Sequence, residues 1–299
     1  MKIKMGVSYK NVDALSFILQ ALICIVSLMS QNPFIKSISE AARKKIVDYL
    51  LFTPLLSLAK RLRGEIFVFN RRWGYLFYPV DYLSYKIMML SHEGLVPDHV
   101  GELVRRTRRR PVFIDIGAHQ GSYTLALHRH CRLVVAVEPD PTNYFLLKRN
   151  LSLNKVKNCI PVNYVVSSHD GFVNLCLSEF SDIHSVKKDW VGKPRRVVRV
   201  PARRIDTLLK ELSIDGVDLV KIDVEGSEME VLEGMSETVE KFKPVLLIEV
   251  AKRNLKNVID YLKLHNYDFQ VLYRSSHYIT KEKIFYILSR TKGIGDDNL

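Results

Sequence analysis

The feature that most constrains the fold is an apolar run that passes directly into a glycine-containing turn and then into a helical pattern. The run Val112–Ile116 is followed by Gly117, and a second glycine, Gly121, precedes the predicted helix Ser122–His130. Glycine tolerates left-handed backbone and has no Cβ, so it allows a tight turn and a close approach to a ligand. This strand–turn–helix is typical of the ligand-binding edge of an open α/β sheet.

Downstream of this turn, strand and helix patterns alternate, which indicates a mostly parallel sheet with helices on both faces. The predicted strands after Val112–Ile116 are Leu133–Val137, Val162–Val166, Leu219–Asp223, Val245–Val250, Phe269–Tyr273 and Lys283–Leu288. The predicted helices after Ser122–His130 are Thr142–Leu153, Ser227–Glu240 and Leu255–His265. Two further β-like runs, Phe172–Leu177 and Val197–Val200, interrupt the alternation.

The N-terminal segment has a different composition. Its apolar stretch Ala14–Met29 is 16 residues long, whereas a membrane-spanning helix needs about 20. The following stretch, Ile38–Arg63, mixes apolar and basic residues as an amphipathic basic helix does. We therefore predict a helical extension over residues 1–63. It either docks on the rest of the protein or makes a peripheral membrane contact through residues 14–63.

Residues 64–299 form the second predicted domain. It opens with a hairpin of Glu65–Asn70 and Tyr75–Tyr78, followed by helices at Ser84–Leu90 and Asp98–Arg106. The alternating region begins after this entry segment and continues toward the C-terminus.

Charge and cysteine content limit the partners and the compartment. The 45 basic residues exceed the 32 acidic ones, giving a net charge of +13, which favours phosphates, nucleic acid or an anionic membrane as partners. The four cysteines are scattered and include no Cys-x-x-Cys pair. This pattern argues against a zinc knuckle or a disulfide framework. We predict a cytoplasmic location, with membrane association left open. No residues are assigned as metal ligands, and metal dependence stays open.

A spaced pair of acids suggests which ligand the glycine turn serves. The turn reads Gly-x-x-x-Gly, without the middle glycine of the dinucleotide fingerprint, which argues against an oxidoreductase. Asp115 ends the first strand, and its carboxylate suits a ligand that carries an ammonium and a sulfonium. Glu138 ends the second strand 23 residues later, where an acid accepts both hydroxyls of a ribose. Together they predict an adenosyl ligand.

A third motif supplies groups for chemistry at the end of the fourth predicted strand. Lys221, Asp223 and Glu225 alternate and therefore share one face while the chain remains extended. One acid there can accept the proton of a hydroxyl, and the lysine can hold that hydroxyl or lower its pKa. A simpler reading is that Glu225 and Glu228 stabilise the dipole of the next helix. Glu249 extends the acidic rim, but the spacing of these acids does not require a metal.

These motifs resemble the FkbM-type methyltransferases. The resemblance covers roughly residues 64–290, and its matching segments are Ile114–Thr124, Val137–Pro141, Lys221–Glu228, Val231–Gly234 and Ile248–Glu249. It implies a Rossmann-like class I methyltransferase sheet of seven strands, mostly parallel, with the last strand antiparallel. It also implies S-adenosylmethionine as the donor and O-methylation of a sugar, glycan or other small metabolite.

The resemblance assigns roles to individual residues. Asp223 is the expected base or acceptor orienter, supported by Lys221 and Glu225. One departure concerns the adenine side, where Ser168 occupies the usual acid position, so either Ser168 or Asp170 is expected to contact the adenine. The expected donor-site residues are Asp115, Gly117, Ala118, Gly121 and Glu138.

Two alternatives remain beside this reading. A nucleic-acid methyltransferase would use the basic runs Arg105–Arg110 and Lys187–Arg204, with Trp190 stacking on a base. The chain lacks an Asn-Pro-Pro-Tyr-like motif and a Pro-Cys nucleophile, so nucleic acid is disfavoured. A membrane-attached, non-catalytic binding protein is the other alternative, and the acids at the strand ends argue against it.

Overall fold

The structure is a computed structural model that describes residues 5–8, 65–70, 75–77, 104, 110–178, 184–191, 193–276 and 283–291. The chain divides into two compact units, Met1–Ser91 and His92–Leu299. The predicted domain boundary at residue 64 falls inside the first unit. Most of the predicted N-terminal extension, the helix at residues 84–90 and most of that at 98–106 lie outside the described residues. Among the residues that are described, no helix is both long and apolar enough to cross a membrane.

The described part of the first unit is a three-stranded antiparallel sheet with strand order β1-β2-β3. Its strands are β1 (Met5–Ser8), β2 (Glu65–Asn70) and β3 (Tyr75–Phe77). Pairing of β2 with β3 confirms the predicted hairpin. β1 falls in the segment predicted to be helical. Its strand conformation comes from pairing with residues 65–68, a distant contact that local periodicity does not reveal.

The second unit contains a seven-stranded main sheet and a separate three-stranded sheet. The main-sheet strands are β4 (Val112–Ile116), β5 (Leu133–Val137), β6 (Cys159–Val162), β10 (Leu219–Ile222), β11 (Val245–Ala251), β12 (Tyr267–Ser276) and β13 (Lys283–Thr291). The second sheet is formed by β7 (Val165–Val166), β8 (Gly171–Leu177) and β9 (Arg196–Arg203).

Seven α-helices lie among the described residues of this unit. They are α1 (Ser122–Leu127), α2 (Pro141–Leu153), α3 (Lys188–Val191), α4 (Ile205–Glu211), α5 (Glu228–Gly234), α6 (Ser236–Phe242) and α7 (Lys252–Leu264). A short 3-10 turn, His128–His130, continues α1.

The strand order of the main sheet is β12-β13-β11-β10-β4-β5-β6. Neighbouring strands from β6 across to β11 run parallel. β13 is antiparallel to both β11 and β12, between which it is inserted. This order, with the last strand reversed, is that of the class I methyltransferase sheet and confirms the predicted fold.

The central strands are buried along their whole length and mostly apolar, because helices cover both faces of the sheet. All residues of β4 and β10 are buried, as expected for parallel strands enclosed on both sides. Their side chains pack with those of β11, α4, α5 and α7 in one continuous core. Two polar side chains, Asp115 and Lys221, are buried at the ends of these strands.

The predicted third strand, Val162–Val166, is split in the structure. Its first part ends β6 in the main sheet, and its last part, β7, pairs with β9 in the second sheet. The side-chain amide of Asn163 donates hydrogen bonds to the Glu138 and Pro139 carbonyl oxygens, at 2.7 and 3.0 Å. This amide ties the chain to the end of β5 at the point where it leaves the main sheet.

The helix predicted at Ser227–Glu240 is two helices, α5 and α6, separated at Met235. Helix α4 was not predicted from the sequence. Its start is held by Asp170, whose carboxylate accepts hydrogen bonds from the Arg204 amide and the Thr207 hydroxyl, both at 2.8 Å. These contacts join residues more than thirty positions apart, so no local pattern indicates them.

Gly234, at the end of α5, lies against the backbone of Ser167, the residue that follows β7 of the second sheet. A Cβ built on it would be 2.0 Å from the Ser167 carbonyl oxygen. Alanine normally stabilises a helix relative to glycine by about 1 kcal/mol. We predict the reverse for Gly234→Ala, a loss of about 2 kcal/mol in the free energy of unfolding, because the backbone of Ser167 must move.

Urea unfolding measures this loss, with Gly216→Ala as the matched control. A Cβ on Gly216 meets nothing within 4 Å, so that change should stay within about 1 kcal/mol of wild type. A Gly234→Ala protein as stable as the control would contradict the close approach.

Candidate active site

A buried lysine joins the ends of the two central strands. Lys221 on β10 is the register partner of Asp115 on β4. Its Nζ lies 3.6 Å from Asp115 Oδ1, 3.0 Å from Asp223 Oδ2 and 3.0 Å from the Gly117 carbonyl oxygen. The Tyr123 ring lies beneath the same ammonium, 4.9 Å from its centroid. The ammonium is therefore enclosed by acceptors of the protein itself, which suits a positioning role.

Asp115 is fully buried, so its contacts are all with the protein interior. Its Oδ2 accepts a hydrogen bond of 2.6 Å from the Thr124 hydroxyl on α1. Burial raises the pKa of Asp115, and the charge of Lys221 opposes that shift. Asp115 thus links β4, β10 and α1. A role for Thr124 was not predicted from the sequence, because its contact with Asp115 forms only once the turn folds.

The two glycines of the turn are needed for packing within the protein. Both adopt left-handed backbone, with φ of 74° at Gly117 and 95° at Gly121. A Cβ on Gly117 would lie 1.8 Å from the Asp223 carbonyl oxygen, and one on Gly121 would lie 2.8 Å from Leu147 Cδ1. The turn can therefore rest directly against the end of β10 and against α2.

Glu138 closes the other side of the glycine turn. Its Oε2 accepts a hydrogen bond of 2.8 Å from the His119 amide, and its Oε1 accepts one of 3.0 Å from the Asp140 amide. Burial raises the pKa of Glu138 to about 8. Ala118, also buried, donates its amide to the Val137 carbonyl oxygen at 2.9 Å. The structure thus brings Glu138 beside the turn, at the edge where the sequence predicted donor binding.

Three carboxylates converge at the ends of β10 and β11. Asp223, Glu225 and Glu249 each place an oxygen within 4.8 Å of the other two. Trp190 Nε1 donates a hydrogen bond to Glu225. Tyr286 bonds Glu249, and burial raises the pKa of this tyrosine well above its ordinary value. The three oxygens are of the type that binds divalent cations, and they also form a set of proton acceptors.

Glu225 is held in a strained conformation. Its φ is 52°, left-handed backbone that costs a non-glycine residue about 1–2 kcal/mol. The Ser185 hydroxyl donates to the Glu225 carbonyl oxygen at 2.6 Å and accepts from the Lys187 amide at 2.9 Å. The segment containing Ser185 and Trp190 therefore fixes both the backbone and the carboxylate of Glu225.

Glu228 is the first residue of α5, whereas Glu225 precedes the helix by three residues, and stabilisation of the helix dipole by either stays a prediction. Glu228 is buried at the start of α5, and its Oε1 accepts a hydrogen bond of 3.0 Å from the Gly226 amide. Its other oxygen accepts a bond from Asn254. Burial raises the pKa of Glu228. The two acids, three positions apart, therefore have different surroundings.

The comparison with protein families decides the assignment. The family model described as Methyltransferase FkbM domain matches residues 115–271, more than half of the chain. This chain belongs to the FkbM methyltransferase family. The matched range begins at Asp115 and includes Glu138 and all three carboxylates of the cluster.

Individual relatives of this FkbM chain are distant. Methyltransferase sdnD of Sordaria araneosa is 30% identical over an alignment of 159 residues. The match covers 42% of this chain and 61% of that protein. The chain therefore spans less than two thirds of that relative. The crystal structure of methyltransferase FkbM from Methylobacillus flagellatus KT shares 18% identity and a TM-score of 0.42, covering 59% of this chain and 43% of that one. M. jannaschii TYW2 in complex with AdoMet shares 17% identity and a TM-score of 0.40, covering 75% and 85%.

The two candidates for the adenine side differ in their surroundings. Asp170 is exposed and engaged with α4, and the Arg204 amide is the largest cause that lowers its pKa. Ser168 is half-buried, next to the carbonyl of Ser167 against which Gly234 packs. Contact of either with an adenine stays a prediction.

The nucleic-acid alternative, which was disfavoured from the sequence, required Trp190 to stack on a base, and the structure contradicts that role. The indole is only 1% exposed, with Glu225 at its Nε1 and the Arg253 guanidinium 5.2 Å above its ring. The basic residues beside Trp190 in sequence suggested base stacking, because no local pattern indicates that its indole binds Glu225. The FkbM domain therefore uses Trp190 to position an acid, which removes the stacking surface expected for nucleic acid.

Replacing Lys221 tests its role in holding the strand ends. Lys221→Met leaves the Asp115 and Asp223 carboxylates without their cation. We predict a loss of about 3–5 kcal/mol in the free energy of unfolding at neutral pH, as for other broken buried pairs. Denaturant unfolding measures it, with the exposed Lys256→Met as the control.

The double variant Asp115→Asn with Lys221→Met removes both charges of the strand pair. It should be more stable than Lys221→Met alone, since no uncompensated carboxylate then remains on β4. Equal stabilities of the single and double variants would contradict a charge-based role for Lys221.

Proposed function

We propose that this chain is an S-adenosylmethionine-dependent methyltransferase that methylates a hydroxyl of a sugar, glycan or other small metabolite. The observation that carries the proposal is the position of Glu138. Its carboxylate lies against the glycine turn of an FkbM domain, 2.8 Å from the His119 amide. An acid at this strand end is suited to a ribose.

The residues around the turn fit an adenosyl donor. Each Glu138 oxygen accepts one backbone hydrogen bond, so each retains capacity for a ribose hydroxyl. Asp115 Oδ1 is buried beneath the turn and accepts no hydrogen bond from a described residue, and the Lys221 ammonium lies 3.6 Å from it. We propose that Glu138 and the backbone around Ala118 hold the donor, that Asp115 acts through Lys221, and that Ser168 or Asp170 serves the adenine.

The carboxylate cluster supplies the acceptor side. When bound, S-adenosylmethionine supplies an electrophilic methyl group. Asp223 is our candidate for the group that accepts the proton of the acceptor hydroxyl. Its side chain is 22% exposed, and its Oδ2 is held by Lys221 at 3.0 Å, so Oδ1 remains for an acceptor. We propose that Glu225, which Trp190 holds, and Glu249 orient the other hydroxyls of a polyol.

Donor affinity should depend on pH through Glu138. Its pKa of about 8 leaves it mostly protonated at pH 7, whereas two ribose hydroxyls donate to the ionised form. Affinity for S-adenosylmethionine should therefore increase by roughly tenfold between pH 7 and pH 9, and level off above that pKa.

Calorimetric titration across this range measures the dependence, with Glu138→Gln as the control. The amide does not titrate, so the variant should bind weakly and show only the donor's own ionisation. The same pH profile in both proteins would exclude Glu138 from the ribose site.

Asp223→Asn separates donor binding from catalysis. We predict donor affinity within about threefold of wild type and a turnover at least about a hundredfold lower, the usual contribution of a general base. The assay follows transfer of a labelled methyl group to a panel of sugars and glycans. The exposed Glu233→Gln on α5 is the matched control and should retain wild-type turnover.

Two results would contradict the proposal. Full turnover by Asp223→Asn would remove Asp223 as the base. Donor binding by the wild-type protein with no labelled product on any glycan or small polyol would exclude the proposed acceptor class.

A further inference from the structure

The second sheet buries one face and exposes the other. Its inner residues form a small core of their own, made of Val165, Leu175, Val200 and Ala202. On the outer face, Phe172 is 61% exposed and Val197 is 50% exposed. Exposed large apolar side chains that occur together mark interaction surfaces more often than single ones do.

The register of β8 and β9 places Phe172 and Val197 on one face but toward opposite ends of the ladder, with Val197 paired with the buried Cys176. Phe172 pairs with Pro201, and Asn174 pairs with Arg199. Directly paired residues of an antiparallel ladder lie on the same face. The Arg199 guanidinium covers the Phe172 ring at 4.7 Å. Phe172, Asn174, Val197, Arg199 and Pro201 are called the β8–β9 face below.

Several exposed basic residues lie on this face or next to it in sequence. Lys193, Arg195, Arg196 and Arg199 are all exposed, and none pairs with a carboxylate of the described residues. No acidic residue occurs between Asp189 and Asp206. The arginines at the far end of β9 differ, since Arg203 pairs with Glu211 and Arg204 with Asp206. Arg199 lies on the β8–β9 face itself, over Phe172, and Lys193 and Arg195 precede β9 at the end that carries Val197. Arg196 pairs with Leu177 and so belongs to the inner face at its exposed edge.

We propose that the β8–β9 face docks on an anionic lipid surface. An acidic membrane interface attracts basic residues near it, each changing partitioning by roughly fivefold. It also accommodates aromatic and aliphatic side chains at the headgroup level. This inference is independent of the methyltransferase proposal, since it uses no residue of the candidate active site.

The apolar residues favour lipid over nucleic acid. Binding of single strands relies on several aromatic rings that stack on successive bases. The β8–β9 face offers one ring, Phe172, together with Val197 and Pro201, which have no stacking surface. The neighbouring indole of Trp190 is buried. Arginine with mixed aromatic and aliphatic side chains matches a bilayer interface better than a strand of bases.

Co-sedimentation of the full chain with vesicles tests the proposal. Vesicles with roughly a third phosphatidylserine in phosphatidylcholine should bind it at low ionic strength, and pure phosphatidylcholine should not. Arg195→Glu with Arg199→Glu should weaken partitioning by at least about twentyfold, the effect of two such charges. The control pair Lys256→Glu with Lys263→Glu, exposed on α7, changes the net charge equally and should weaken it by less than about fivefold.

A second variant reports on contact directly. Phe172→Trp places an indole on the β8–β9 face without changing charge. Its added emission should shift to the blue with phosphatidylserine vesicles and be quenched by brominated lipid, relative to wild type. Thermal melting of each variant verifies that the fold is retained.

Several outcomes would overturn the proposal. Equal losses in the two charge-reversal pairs would show that net charge, or a segment elsewhere such as residues 14–63, carries the binding. No partitioning of the wild-type chain, or no change in the emission of the added indole in the Phe172→Trp protein, would exclude lipid docking by this face. Binding to poly-uridine is measured for the same proteins. If the Arg195→Glu with Arg199→Glu protein bound poly-uridine more weakly than wild type but bound vesicles equally well, the face would be an RNA-binding surface instead.

Discussion

One buried ammonium holds the ends of the central strands together, and the candidate site is arranged around it. Lys221 lies opposite Asp115 across the β4–β10 pair and contacts Asp223 and the Gly117 carbonyl as well. Buried charges are stable only when paired, so these four groups fix one another. The glycine turn, which Glu138 closes on its other side, thus has a defined position relative to Asp223. In the proposed function, one lysine sets the geometry of both the donor side and the acceptor side.

The central strands were predictable from the sequence because they are buried on both faces. The bounds of Val112–Ile116 and Leu133–Val137 match the prediction residue for residue, since a short, largely apolar run leaves little ambiguity. The features that were not predicted depend on single side-chain contacts between residues far apart in sequence. The chain leaves the main sheet after Val162 where Asn163 binds the end of β5, and α4 begins where Asp170 holds it. Periodicity carries no information on such contacts.

In the candidate site, too, the residues at strand ends were predictable and their hydrogen-bonding partners were not. Asp115, Glu138, Lys221 and Asp223 were predictable because each sits at or just past the end of an apolar strand, and parallel strands bring those ends to one edge. Their partners were not. Thr124 and Tyr286 reach the acids only through the tertiary fold. Trp190 contacts Glu225, a partner 35 residues away that its basic neighbours in sequence do not indicate.

The most direct test of the central claim is calorimetric titration of the full chain with S-adenosylmethionine at pH 8, beside Glu138→Ala. The account predicts micromolar binding by the wild-type protein and a loss of at least about tenfold in the variant, the effect of removing one charged hydrogen-bonding partner. Absence of binding by folded wild-type protein would contradict it, and the acids at the strand ends would then need another ligand.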